Sequence, residues 1–360
     1  MLFMGIKIVL MSLSIKIKNA KNLLFQRENS IMNLPSDNFP IRLIIDQQHH
    51  QNLRYGENPH QTASLYVDSD VTEANVVTAA QLNPGAKELS YNNYNDADGA
   101  LNLIKEFKKP AAAIIKHTNP AGCAVAKTIS EAFDRAISTD PMSAFGGVVA
   151  LNQQCDNHTA EKIISSFKEV VVAPSFTEEA LTILRTKTNL RILSVGELKT
   201  PSVTTIEKPI IGGRLIQQRD LQVITSDDLT IVTKIEPTDS QIDSMLFAWK
   251  VVKHVKSNAI VFATGTETVG LGMGQVSRVD AVRLASLKAI EHAEGKGPEN
   301  AVMASDAFMP FPDAIEAAAE VGISAVIQPG GSVNDSVVID AANDLGIAMV
   351  FTGKRCFKHD

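Results

Sequence analysis

Residues 111–122 read AAAIIKHTNPAG, and this stretch is the clearest guide to the fold. The five apolar residues that open it predict a buried strand, and Pro120 and Gly122 predict a turn directly after it. Lys116 and His117 would then stand at the end of a buried strand, where α/β proteins carry their chemistry. A lysine beside a histidine offers one group that holds negative charge and one that moves a proton. The alternative is a turn with a solvated cation, which the buried strand and the rigid turn disfavour.

On both sides of this stretch, strand patterns alternate with helical spacing. The alternation predicts an α/β fold with a largely parallel sheet that helices cover on both faces. We predict helices over 96–107, 129–137, 158–167, 177–185, 239–255, 278–292, 313–321 and 335–345, and strands over 111–115, 147–151, 170–173, 190–193, 258–263, 268–271, 302–305, 325–328 and 347–351.

The order of these elements predicts two similar α/β units joined by a connector. Residues 34–200 form the first unit, residues 201–238 a connector with a few strands and a turn at Gly212, and residues 239–360 the second unit. The weak similarity between the halves indicates an internal duplication. Two such units side by side would leave a cleft, which is a usual place for a ligand.

Composition excludes several classes of function. The chain has 360 residues, a net charge of -6 and no basic stripe with interleaved aromatic residues, so we expect no nucleic-acid partner. Its three cysteines lack metal-ligand spacing, which argues against a zinc site and a disulfide framework and favours a reducing cytoplasm.

The first residues do not resemble a targeting segment. Their apolar run is too short to span a bilayer, and most of the lysines follow it, unlike those of a signal peptide. We expect no membrane association, and we interpret residues 1–33 as a poorly ordered extension. Translation from Met32 would leave the rest of the pattern intact.

Two further motifs belong to the first half. In the run RYGENPHQ at 54–61, Arg54 can bind a phosphate or a carboxylate with two hydrogen bonds, although an exposed Asn-Pro loop would also explain it. In SAFGG at 143–147, Phe145 could stack on a planar ring and Gly146 would let the backbone approach a ligand. A tight turn before a strand explains this second motif equally well.

The second half carries its motifs where strands meet helices. Arg278 opens a helix, where amide groups and a guanidinium attract an anion. Asp313 has an ordinary capping explanation, and the loop PGGS at 329–332 is either an anion-binding loop or a simple turn. The run GLGMG at 270–274 lacks the dinucleotide spacing, and no P-loop motif exists.

Taken in order, these motifs resemble the AICAR transformylase domain of the bifunctional AICAR transformylase/IMP cyclohydrolase family. The resemblance extends from about residue 34 to residue 359. The matching runs are LRYGENPHQ at 53–61, KELSYNN at 87–93, KHTNPAG at 116–122, SAFGG at 143–147, GQVSR at 274–278, SDAF at 305–308 and RCFKH at 355–359.

The resemblance implies a fold and a reaction. Its fold is two cytidine-deaminase-like α/β units, here without the deaminase zinc signature. The reaction moves a formyl group from the co-substrate 10-formyltetrahydrofolate to the 5-amino group of AICAR, a purine-precursor ribonucleotide. The resemblance also implies a homodimer with shared active sites and a structural monovalent cation, and no metal ion for the transfer itself.

Site residues follow from the matching positions. His117 corresponds to the proton acceptor and Lys116 to the group that stabilises the transition state. The positions that contact the nucleotide are Arg54, Tyr55, Phe145, Gly146, Asn258, Arg278 and Arg355, and Phe308 could touch both ligands. Glu169 stands where the family has an aspartate, and Lys358 stands where it has a histidine. The positions that line the folate are Val279, Asp313, Gly331, Ser332 and Val333.

Nothing in the chain resembles the cyclohydrolase domain, so we expect a transformylase whose product another protein cyclises. One alternative is a degraded nucleotide- or folate-binding protein, against which the intact Lys116 and His117 pair argues. Another is an enzyme that uses formate and ATP, which the missing P-loop disfavours.

Overall fold

The structure is a computed structural model that describes residues 39–40, 42–68, 70–199 and 201–359. The expected extension, residues 1–33, lies outside the described residues. The chain divides between Gln48 and His49, and the fold below is that of the unit from His49 onward. Among the described residues, no helix has both the length and the apolar character needed to cross a membrane.

In the first half, the described residues form eight strands and five helices. Two strands, β1 and β2, form a small sheet of their own. The elements are β1 (Gln48–Leu53), β2 (Ala63–Val67), β3 (Ala80–Gln81), α1 (Tyr91–Ile104), β4 (Ala111–Lys116), β5 (Asn119–Val125), α2 (Ile129–Ile137), α3 (Pro141–Ala144), β6 (Val148–Leu151), α4 (Asn157–Ile164), β7 (Val170–Ala173), α5 (Glu178–Leu184) and β8 (Arg191–Ser194).

The remaining elements begin with a separate hairpin, β9 (Thr205–Ile210) and β10 (Gly213–Gln218). A 3-10 turn (Ser226–Asp228) leads into the second half. Its elements are β11 (Thr230–Ile231), α6 (Asp239–Val252), β12 (Ile260–Thr264), β13 (Glu267–Gly272), α7 (Arg278–Glu291), β14 (Val302–Ser305), α8 (Asp313–Glu320), β15 (Ala325–Gln328), α9 (Asp335–Asp344) and β16 (Ala348–Phe351).

The two halves share one sheet of twelve strands, in the order β11-β16-β15-β14-β12-β13-β5-β4-β6-β7-β8-β3. Read outward from the central pair β5 and β13, each half has a hairpin, three strands that are parallel to one another, and a short antiparallel edge strand. The α/β class is therefore confirmed, and the two halves repeat the same order of elements.

The expected largely parallel sheet is wrong, because most neighbouring strands are antiparallel. In each half a tight hairpin, β4–β5 or β12–β13, reverses the chain at once, so no crossover helix separates those strands. The strand patterns themselves could not reveal this, since a buried strand is apolar in either direction.

The turn predicted at Pro120 and Gly122 is also wrong, because both residues lie within β5. The chain reverses earlier, at His117 and Thr118. The pairing of β4 with β5 shifts between Ile114 and Ile115, and such a bulge accommodates a proline inside a sheet. Gly122 has a packing role, since a Cβ there would overlap a backbone oxygen of α2.

All the predicted helices and strands are present, and most of their ends agree closely with the structure. Helix α1 is the main exception, because it begins at Tyr91 and not at the expected Asp96. Ser90 and Asn93 form a capping box there, with reciprocal side-chain to backbone hydrogen bonds. Asp96 therefore lies inside the helix, more than one turn from its start.

Apolar side chains cover both faces of the twelve-stranded sheet. On one face, α1 and α6 pack over both halves in a shared core that includes Leu101 and Trp249. On the other face, α2, α4 and α5 cover the first half around Phe133, and α7, α8 and α9 cover the second half around Phe262. Both halves therefore contribute to one core beneath the loops at the ends of the strands.

Candidate active site

One edge of the twelve-stranded sheet, called here the site edge, collects polar segments from both halves. Strand β4 ends there at Lys116, which pairs with Asn119 at the start of β5. The antiparallel β13 ends at the same edge, and Ile260 of β12 pairs with both Gly272 and Ser305. The strands β14, β15 and β16 therefore end at the site edge, whereas β6, β7 and β8 begin there.

The strand register brings most of the predicted site residues to this edge. They lie at the strand ends, or in the loops and helix starts next to them. They are Lys116, His117, Phe145, Gly146, Glu169, Asn258, Arg278, Val279, Phe308, Asp313, Gly331, Ser332, Val333 and Arg355.

The hairpin turn that carries His117 has an unusual backbone. His117 and Thr118 both have positive φ angles, 53° and 65°, in a region that residues other than glycine rarely adopt. The Asp96 carboxylate accepts the backbone N–H of His117 at 3.1 Å and that of Thr118 at 2.6 Å. One carboxylate on α1 therefore holds both amides of the turn.

Sequence reasoning missed Asp96, because it placed this residue at the boundary of a helix and gave it no other role. The signal that could have found it is the run SYNN at 90–93, whose capping box moves the start of α1 upstream. The contact between α1 and the turn joins residues 21 positions apart, so only the tertiary structure reveals it.

Lys116 connects the turn to the segment before β6. Its Nζ donates a hydrogen bond to the backbone oxygen of Phe145 at 2.8 Å. An ammonium has three donors, so this contact leaves two N–H groups for another acceptor. Phe145 is exposed and packs its ring against Phe167 at 5.6 Å between centroids. The backbone N–H of Gly146 donates to the oxygen of Phe167 at 2.9 Å.

Arg278 is buried, and its guanidinium is engaged within the protein. It donates to the Asp306 carboxylate, to the backbone oxygen of Ala259 at 3.0 Å and to the Asn258 Oδ1 at 2.7 Å. Ser257 donates to the other carboxylate oxygen of Asp306. The structure thus uses Arg278 to orient Asn258, where the sequence alone suggested an anion-binding group at a helix start.

Glu169 makes an ion pair at the beginning of β7. The Arg191 guanidinium donates to its carboxylate at 2.7 Å and also to the backbone oxygens of Lys87 and Glu88. The side chain of Glu169 remains about one third exposed, whereas that of Arg191 is buried. The carboxylate is therefore oriented by the protein and keeps a surface that a ligand can reach.

The loop after β15 closes on the start of α9. The backbone N–H groups of Gly331 and Ser332 donate to the Asp335 carboxylate at 2.7 and 3.1 Å, which occupies the amides that an anion would use. Val333 projects from this loop almost fully exposed, and Phe308 is partly exposed on the neighbouring loop. This part of the site edge therefore offers apolar surface.

The Arg54 segment stands apart from the twelve-stranded sheet, between β1 and β2. The guanidinium lies over the ring of Tyr55, 5.0 Å from its centroid, and is exposed. The amide of Asn92 donates to the backbone oxygen of Glu57 at 3.3 Å, which connects this loop to the start of α1. Arg355, also exposed, lies over Phe357 at 4.9 Å.

The arrangement suits the transfer of a group to a nitrogen or oxygen nucleophile. An exposed imidazole on a rigid turn can accept a proton, and the adjoining ammonium can face a developing oxyanion. The exposed guanidiniums of Arg54 and Arg355 can bind a phosphate. The exposed Phe145 can pack against a planar ring.

A comparison with protein families identifies one matching family. The family model described as AICARFT/IMPCHase bienzyme matches residues 20–288, which is more than half of the chain. The match includes the hairpin turn with Lys116 and His117 and extends through most of α7.

Proposed function

The chain belongs to the AICARFT/IMPCHase bienzyme family, as its motifs predicted, and we propose that it is an AICAR formyltransferase of purine biosynthesis. Its substrates are AICAR and 10-formyltetrahydrofolate. The members of this family are enzymes, and the family name covers two activities. The residues at the site edge support the formyl transfer. The observation that carries the proposal is the Lys116–His117 turn, which Asp96 holds at the edge where both halves meet.

His117 is the proposed general base. The amine of AICAR is attached to an electron-poor ring and is a weak nucleophile, so it must lose a proton as it attacks the formyl carbon. A new C–N bond forms, the proton passes to the imidazole, and the formyl oxygen becomes negative. The carbon–nitrogen bond to the folate then breaks, and the departing folate nitrogen takes up a proton.

Lys116 is the proposed partner of the oxyanion. Its ammonium already donates to the oxygen of Phe145, which fixes its direction without consuming its remaining donors. A cation held before the reaction stabilises charge that develops only in the transition state. The proposed transfer uses no step through the monovalent cation that the resemblance implied.

The remaining residues are proposed to bind the two substrates. Arg54, Tyr55 and Arg355 offer exposed cations and a ring to the nucleotide, and Glu169 offers its partly exposed carboxylate. The apolar surface at Val333 and Phe308 suits the folate, together with the positions Val279, Asp313, Gly331 and Ser332. Asn258 completes the nucleotide side, with Phe145 and Gly146, and Arg278 acts through Asn258.

We extend the proposal to the origin, assembly and location of the protein. The repeated order of elements supports a duplicated, cytidine-deaminase-like unit. The exposed hairpin β9–β10 carries Ile211 and Leu215 at its surface, which supports a homodimer that covers them. Three free, buried thiols support a cytoplasmic location. Sedimentation of an active monomer would refute the dimer.

The test is formyl transfer from 10-formyltetrahydrofolate to AICAR, followed by the absorbance of the tetrahydrofolate formed. We expect turnover by the wild type and a loss of about a hundredfold or more in His117→Ala, the effect of a general base. His158→Ala is the matched control, because His158 is an exposed histidine on α4, outside the site edge. A wild type that binds AICAR without turnover would refute the transferase and favour a degraded binding protein.

A further inference from the structure

A cavity of about 350 Å³ lies beside the site edge, on the face of the sheet that α4 and α5 cover. Residues 163–168 and 186–190 line it, and they include none of the residues assigned to the proposed transfer. Its size falls within the range of small-molecule pockets.

Charge in the lining is entirely positive. Among the lining residues, Lys168 and Lys187 are cationic, and none is an aspartate or a glutamate. Hydroxyl and amide side chains make up much of the rest. The composition therefore suits an anion that accepts hydrogen bonds.

Lys168 is the central observation. It is only 4% exposed, and no carboxylate of the described residues lies within ion-pair distance of its Nζ. Its hydrogen bonds go to the Ser166 hydroxyl and, at 3.4 Å, to the backbone oxygen of Phe167. The adjacent Glu169 is already paired with Arg191. Burial lowers the pKa of Lys168 to about 8, as expected for an ammonium without a counter-charge.

A buried cation without a counter-charge is unfavourable, and proteins seldom keep one without a reason. An anion in the cavity would supply the missing charge and the missing acceptor. We propose that this cavity binds the phosphate group of a small molecule through Lys168, at a site separate from the substrates of the proposed transfer.

The cavity is connected to the site edge through both chain neighbours of Lys168, because Glu169 lies at the site edge and Phe167 contacts it. Phe167, next to Lys168, packs against Phe145 and accepts a hydrogen bond from Gly146. A phosphate bound at Lys168 would therefore lie one contact away from the segment before β6.

Inorganic phosphate is the probe, and binding is measured by calorimetry and by the shift in thermal unfolding. We expect saturable binding that raises the unfolding midpoint of the wild type by about 3 °C or more at saturation. Lys168→Met should weaken binding by about tenfold or more, the effect of losing a charged hydrogen-bond donor. Lys162→Met is the matched control, because Lys162 pairs with Asp134 outside the cavity lining.

Two further measurements distinguish phosphate binding in this cavity from phosphate binding at the site edge or elsewhere on the surface. Without phosphate, Lys168→Met should unfold at a higher temperature than the wild type, since it removes an unpaired buried charge. Arg54→Met removes a group proposed to bind the phosphate of the nucleotide, so it should leave intact only the phosphate binding that depends on Lys168. The proposal is overturned if phosphate does not saturate, if Lys168→Met binds it like the wild type, or if Arg54→Met alone abolishes binding. None of these readings depends on formyl transfer.

Discussion

Replacing Asp96 by alanine should slow the proposed transfer while the fold stays intact. The side chain lies on α1 and touches the hairpin turn through two backbone amides, at 3.1 and 2.6 Å. Both of these contacts are with backbone amides, and neither is with the His117 imidazole or the Lys116 ammonium. Its loss should therefore act on the position of Lys116 and His117, the two proposed catalytic groups.

The magnitude follows from the backbone of the turn. Each of the two residues with positive φ costs on the order of 1 kcal/mol, so the turn stores about 2 kcal/mol that the carboxylate offsets. Without Asp96 the strained turn is disfavoured by about this free energy. The population of the conformation that positions Lys116 and His117 then falls by a factor of about 30. The free energy of unfolding should fall by about 2 kcal/mol, the worth of hydrogen bonds to a charged group at a partly solvated site.

The assay compares kcat and KM for AICAR in the wild type, Asp96→Ala and Asp98→Ala. Asp98 is two residues further along the same helix, and its side chain bonds to Asn102. We expect kcat to fall about 30-fold in Asp96→Ala, with KM for AICAR nearly unchanged, and Asp98→Ala to behave like the wild type. Asp96→Asn should recover part of the loss, because its amide oxygen can still accept one of the two bonds.

Two results would refute this reasoning. One is an Asp96→Ala enzyme whose kcat stays within about threefold of the wild type, which would mean that the turn keeps its shape without the carboxylate. The other is an equal loss in Asp98→Ala, which would mean that the negative charge of α1 matters and not the contact with the turn.

Three other perturbations test packing, pH dependence and thiol reactivity. Gly122→Ala should destabilise the protein by about 3 kcal/mol, measured by denaturant unfolding, because the new methyl group would overlap the backbone oxygen of Ala136. Burial alone would raise the pKa of Glu106, but its hydrogen bond to His254 and its ion pair with Lys253 lower the pKa to about 2. Glu106→Gln should therefore cost up to about 3 kcal/mol near pH 7, and this difference should shrink as the pH falls below about 4.5 toward 2. Burial raises the pKa of all three cysteine thiols, so a disulfide reagent should react with them only after denaturation.

Matched variants control the first two of these tests. Gly99→Ala, inside α1 and with open space around the new methyl group, should not destabilise. Glu131→Gln, at an exposed pair with Arg135, should change stability little at any pH. A pH-independent loss in Glu106→Gln would contradict the proposed ion pairs, and rapid reaction of a native thiol would contradict its burial.

Local pattern was enough to predict most of the helices and strands, although it predicted a turn where β5 lies. The buried strand at 170–173 and the amphipathic helix at 129–137 have the predicted ends in the structure, because their apolar spacing is uninterrupted. Pro174 follows the strand, and Thr128 caps the helix. The start of α1 was missed because its first turn is polar and lacks apolar spacing. Its only local mark is the capping box of Ser90 and Asn93.

Strand direction and pairing could not be predicted from the same pattern. Pro120 and Gly122 are turn-forming residues by composition, yet a bulge and the close approach of α2 place both inside a strand. A single sequence shows neither the partner strand nor the helix above it, so the β4–β5 hairpin was missed and the sheet was expected to be largely parallel.

The sequence by itself determined the α/β class, the positions of most elements, the family and the motif that carries Lys116 and His117, because these depend on neighbours along the chain. Only the tertiary structure decided that both halves present their loops at one edge, that Asp96 holds the hairpin turn, that Arg278 is buried against Asp306 and that Lys168 lacks a counter-charge. Each of these depends on contacts between residues distant in sequence, which no local pattern encodes.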